Sequence, residues 1–116
     1  MGGERQVMMA RRTRRRSIRL EAGSASHVGR IREVNQDYVA STDEVFVVAD
    51  GMGGHRGGEV ASAVATTEVI DGFTGPDRAS LVRAVRQANR AVLERAAFDP
   101  DLAGMGTTLC ALAVVD

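Results

Sequence analysis

A chain of 116 residues has room for one domain of ordinary size, and with 44% hydrophobic residues but only 3% aromatics its core must come from Val, Ala, Leu and Ile. Its formal charge is zero, yet every basic residue is Arg, and the lack of Lys excludes a phosphate loop of the Gly-Lys-Ser/Thr kind. The single cysteine excludes a disulfide framework and a Cys-x-x-Cys site, and no apolar run approaches the roughly 20 residues that span a bilayer.

In chain order, residues 1–20 come first, with seven Arg against Glu4 and no acid between Arg5 and Leu20. Such a block repels itself and stays solvated, or it meets nucleic acid, anionic lipid or an acidic partner. We set residues 1–20 apart as a basic, disordered tail, with no specific nucleic acid expected. The segment lacks the apolar stretch of a secretory signal, so a cytoplasmic protein is the default expectation. Residues 17–22 alternate briefly and read as a first strand, and 23–26 as a small polar connector. Residues 29–37 are dense in charged and amide groups and read as a loop carrying functional groups.

Residues 38–41 and 45–49 read as two strands of a tight hairpin around Asp43-Glu44, the second of them buried. A turn centred there pairs Thr42 with Val45, Ala40 with Val47 and Tyr38 with Ala49, and so sets Asp37 opposite Asp50. Opposed like charges are destabilising, and a hard divalent cation such as Mg²⁺ or Mn²⁺ is the natural compensation. A turn longer or shifted by one residue would put the two acids on different faces instead.

The strand opens into a loop with five glycines between Gly51 and Gly58. Residues 59–72 then carry Val60, Ala63, Val64, Thr67 and Ile70 at helical spacing, closed by Gly72-Phe73-Thr74-Gly75-Pro76. A second helical pattern follows Asp77, with Leu81, Val85, Ala88, Val92 and Ala96 as its stripe and Arg83, Arg86 and Arg90 on the wet side; Asp99-Pro100 ends it. Both stripes are expected to face the core. Residues 107–115 read as a last strand, in which Cys110 is expected to be a buried structural thiol. A parallel dinucleotide-binding arrangement is disfavoured, because Arg56 stands where its fingerprint needs glycine.

Four stretches together carry a resemblance: Arg32-Glu33-Val34-Asn35-Gln36-Asp37, Val47-Val48-Ala49-Asp50-Gly51-Met52-Gly53-Gly54-His55, Gly58-Glu59-Val60-Ala61-Ser62 and Gly106-Thr107-Thr108-Leu109. In order and approximate spacing they resemble the N-terminal half of bacterial metal-dependent serine/threonine protein phosphatases of the PP2C type, the PPM family. The resemblance implies an α+β fold, part of an α/β/β/α sandwich with mainly antiparallel sheets. Residues 21–116 would form the N-terminal portion of the phosphatase domain. The family's C-terminal half, with its remaining metal-binding aspartates, is absent from this sequence.

The resemblance also implies a function: hydrolysis of phosphoserine and phosphothreonine in proteins by metal-activated water, with two Mn²⁺ or Mg²⁺ ions in the complete site. Asp50 resembles the aspartate shared by both ions, the Gly51 carbonyl resembles a ligand of one, and Asp37 resembles the acid that fixes metal-bound water. Arg32 resembles the arginine that grips the substrate phosphate, with a surface ion pair as its plainer role. Phosphoproteins, and a cognate Ser/Thr kinase or its substrates, are the partners implied. The chain departs from many relatives at Met52, where eukaryotic members place a histidine, and at Gln36, where glutamate is common. His55 is near the loop but is not that histidine. Two other readings stay open: a truncated or degenerate phosphatase-like module that binds without catalysis, and a generic phosphate- or nucleotide-binding loop, which the absence of Lys disfavours.

Overall fold

The computed structural model describes residues 36–54 and 56–114, together with the backbone of 6–9 and 19–22. Of the polar loop expected over 29–37, residues 29–35 with Arg32 lie outside the described residues, as does His55, and Asp37 belongs to a strand instead. Strand β1 (Gln6–Met9) pairs antiparallel with β2 (Arg19–Ala22), Met8 opposite Leu20. Part of the segment read as tail is therefore strand, and the first strand expected over 17–22 is found at its C-terminal end.

The hairpin has the expected register. Strand β3 (Asp37–Ser41) runs antiparallel to β4 (Val45–Met52), with Ala40 opposite Val47, Tyr38 opposite Ala49 and Asp37 opposite Asp50. The turn is closed by Thr42, whose N–H donates to the Val45 carbonyl at 2.8 Å. Its hydroxyl accepts from the N–H groups of Glu44 and Val45, each at 3.1 Å. A two-residue loop held by its own threonine leaves no room for a shifted pairing.

On its other edge β4 pairs first with β6 (Cys110–Ala113) and then with β5 (Gly106–Thr107), both antiparallel and in one continuous register. The single strand expected over 107–115 is thus interrupted at Thr108 and Leu109. The reason is chemical: Asp50 N–H donates to the Thr108 hydroxyl at 3.1 Å, where an uninterrupted ladder would offer a backbone carbonyl. Every pairing among the described residues is antiparallel.

Strand β4 alternates. Val45, Val47, Ala49 and Gly51 are buried toward the helices, while Val48 and Met52 on the opposite face are 53% and 55% exposed. The strand is half-buried rather than buried throughout, as its unbroken apolar run had implied. Cys110 sits opposite Val48 on this outer face and is exposed, so the expectation of a buried thiol is corrected by its position in the pleat.

Helix α1 (Gly57–Gly72) lies on β3 and β4, and helix α2 (Arg78–Phe98) packs against α1. The fully buried face of α1 is Gly57, Gly58, Ala61, Ser62, Ala65, Thr66 and Val69; of the expected stripe, Val60, Val64 and Ile70 are partly buried and pack against the core beside it, while Ala63 and Thr67 do not join it. Small side chains let the helix approach the sheet closely, and Ser, Thr and Gly score as polar, so the true face escapes a search for apolar periodicity. The expected stripe is half-buried, apart from exposed Thr67, and its first four residues line a groove shared with Ala91 and Arg95 of α2. In α2 the expected stripe faces the core through Ala88 and Val92, with Leu81 and Ala96 packed against it, but Ser80 and Ala84 complete the buried line and Val85 is exposed. Val45, Val47, Ala61, Ala65, Val69, Ala88 and Val92 join Leu102 and Met105 in one core. Leu102 comes from a short 3-10 turn, Pro100–Leu102, that follows α2.

Asp77 caps α2, its Oδ1 accepting from Ser80 N–H at 2.7 Å. Asp77→Ala is expected to lower stability by about 1 kcal/mol, read from the midpoint of urea unfolding at unchanged slope.

Candidate metal centre

The opposed acids stand where β3 begins. Gly51 N–H donates to the Gln36 carbonyl at 3.0 Å and Thr42 N–H to the Val45 carbonyl at 2.8 Å, which makes these the hydrogen-bonded pairs of the ladder. Counting along the register, the Asp37–Asp50 pair falls at a non-hydrogen-bonded position, where the Cα atoms approach to about 4.5 Å and side chains stand closest. Asp37 is half-buried and Asp50 exposed. Two carboxylates at that spacing repel unless a cation or donor lies between them.

The backbone around the pair is held from three sides. On one side, Thr108 N–H donates to the Asp50 carbonyl at 2.9 Å, in addition to the bond its hydroxyl accepts from Asp50 N–H. On the other, Gln36 Nε2 donates to the Gly53 carbonyl at 3.3 Å, tying the entry of β3 to the glycine loop. From below, the Ser62 hydroxyl of α1 donates to the Gln36 carbonyl at 2.7 Å. Gly51 passes against Gly58 so closely that a Cβ on Gly51 would overlap the Gly58 carbonyl. Gly53 has φ +146°, a conformation that L side chains rarely adopt.

Asp37, Asp50 and Gly51 are therefore brought together, whereas Arg32 lies outside the described residues. The donors are all oxygens, which suits a hard divalent cation, but such ions take six or more ligands. Among the described residues no group of three or more His, Cys, Asp or Glu forms a metal cluster. The fit is to part of a coordination shell. Ser62 and Thr108 had no task in the sequence reading, although both stand in the quoted motifs; what singles them out is their backbone partners, which spacing does not show.

Known proteins are similar to this chain in sequence and fold. The serine/threonine protein phosphatase PstP of Mycobacterium tuberculosis is 41% identical over 97 residues, 80% of this chain. The PPM Ser-Thr phosphatase MsPP of Mycobacterium smegmatis, solved in complex with cacodylate, superposes on 79% of the chain at 41% identity with a TM-score of 0.70. Over most of its length the chain is similar to phosphatases of the PPM family. The catalytic domain of PstP, solved in complex with two manganese ions, gives a TM-score of 0.69 at 41% identity over 79% of the chain. The chain spans 19% of the length of PstP, 38% of the solved MsPP chain and 42% of the solved PstP catalytic domain, so its likeness is to part of that fold. No family model matches the chain.

Proposed function

We propose that residues 21–116 form the N-terminal portion of a PP2C-type phosphatase domain, and that Asp37, Asp50 and the Gly51 carbonyl are its share of a two-metal centre. The reaction is hydrolysis of phosphoserine and phosphothreonine in proteins. The observation that carries this reading is the close pairing of Asp37 with Asp50 beside Gly51, in a chain 41% identical to a catalytic domain solved with two manganese ions.

Bound Mn²⁺ or Mg²⁺ supplies Lewis-acid activation of water and neutralises charge on the phosphoryl group. The protein's part is to place oxygens. Asp50 and the Gly51 carbonyl would hold metal, and Asp37 would accept a hydrogen bond from the water that the metal activates. Arg32 holds the substrate phosphate through paired N–H donors, a role that rests on its motif alone. Phosphoproteins, together with a cognate kinase or that kinase's substrates, are the partners this chemistry implies, in a cytoplasmic setting. No helix among the described residues is long and apolar enough to cross a membrane.

The test is hydrolysis of p-nitrophenyl phosphate and of a phosphothreonine peptide by this chain, with Mn²⁺, with Mg²⁺ and with EDTA. Turnover that requires the metal and stops with EDTA is expected. Turnover indifferent to EDTA contradicts the reading. Mn²⁺ binding without turnover would favour the phosphatase-like binding module instead.

A further inference from the structure

Ser62 is 1% exposed, on the face of α1 that meets the sheet. A hydroxyl has one proton to give. Two carbonyls lie within reach: Gln36 at 2.7 Å and, in its own helix, Glu59 at 3.2 Å. The shorter is the usual length of a hydroxyl-to-carbonyl bond, so the proton belongs to Gln36. That carbonyl is half of the peptide joining Gln36 to Asp37. It also receives Gly51 N–H at 3.0 Å, and that N–H is half of the peptide joining Asp50 to Gly51. One oxygen atom thus ties together the peptides that carry both acids, and Ser62 is what fastens it to the helix.

We infer that Ser62 is a positioning residue for the metal centre: its buried hydroxyl fixes the Gln36–Asp37 peptide against α1 and so sets the spacing of Asp37, Asp50 and the Gly51 carbonyl. This rests on the phosphatase-centre reading above. Groups that orient metal ligands without touching the metal typically change affinity by about 10–100-fold when removed. Nothing but geometry is asked of Ser62, whose hydroxyl meets backbone carbonyls.

The test compares three variants of the full chain by Mn²⁺ titration calorimetry and by hydrogen exchange at the Gly51 amide. Ser62→Ala is expected to weaken Mn²⁺ binding about 10-fold and to speed exchange at Gly51. Ser62→Cys keeps nearly the same volume with a much weaker donor, and is expected to do the same, which separates the hydroxyl from simple packing. Ser80→Ala is the control. Ser80 is also fully buried, at the start of α2, where its hydroxyl accepts from Thr74 and Gly75 N–H at 2.9 and 3.1 Å. It should lower the melting temperature and leave Mn²⁺ affinity unchanged. Wild-type affinity in both Ser62 variants, or an equal loss in Ser80→Ala, would overturn the inference. If the wild-type chain binds no Mn²⁺, the phosphatase-centre reading falls instead. The positioning claim is then decided by Gly51 exchange alone, and an unchanged rate in Ser62→Ala overturns it.

Discussion

Gly51→Ala is expected to cost the chain on the order of 3 kcal/mol or more of folding stability, while Gly54→Ala changes it by no more than about 0.5 kcal/mol. The two glycines stand three residues apart in one loop, and their surroundings decide the difference. A Cβ at Gly51 would overlap the carbonyl of Gly58, and backbone cannot rotate aside as a long side chain can. Gly58 is pinned in turn, because its own Cβ position lies 2.6 Å from Gln36 Cδ and 2.7 Å from Met52 N. A Cβ at Gly54 would meet nothing within 4 Å. Domains of this size are stable by only about 5–15 kcal/mol, so the first loss is a large share of the whole. Chemical unfolding of both variants checks it. Equal midpoints would mean that α1 can back away from β4 at little cost.

The second large effect has two opposite parts. Asp50→Asn removes one charge from a like-charged pair at a non-hydrogen-bonded position, and the metal-free chain is expected to gain up to about 1 kcal/mol in stability. The same change removes a carboxylate from the proposed centre, and Mn²⁺ affinity is expected to fall by about 100-fold or more, at the upper end of what even supporting residues achieve. Residues kept for chemistry at a cost in stability behave this way. A packing residue would show the reverse: its replacement would destabilise the fold and leave metal binding alone.

The acid pair could be read before any coordinates because a two-residue turn with alternating flanks has few registers, and Thr42 enforces the one that sets Asp37 against Asp50. Helix ends were legible for similar reasons: Asp77 is a good cap, and Asp99-Pro100 cannot continue a helix. The buried face of α1 was not legible. Close packing against β4 selects Gly57, Gly58, Ala61 and Ser62 for smallness, whereas pattern reading rewards Val60 and Val64 for hydrophobicity. Cys110 was misplaced because an apolar run does not say which of its alternating side chains has a layer over it. Ser62 and Thr108 escaped because their partners are backbone atoms distant in sequence, 26 residues away for Ser62 and 58 for Thr108.

That Asp37 and Asp50 serve one metal centre is tested most directly by thermal unfolding of the wild-type chain and Asp50→Asn with and without Mn²⁺. A ligand that binds only the folded state raises its melting temperature, and at 100 times its dissociation constant adds about 2.7 kcal/mol. Mn²⁺ is expected to raise the melting temperature of the wild-type chain and not that of Asp50→Asn, and the metal-free variant is expected to melt no lower than the metal-free wild type. An equal Mn²⁺-induced rise in both proteins would contradict the shared centre.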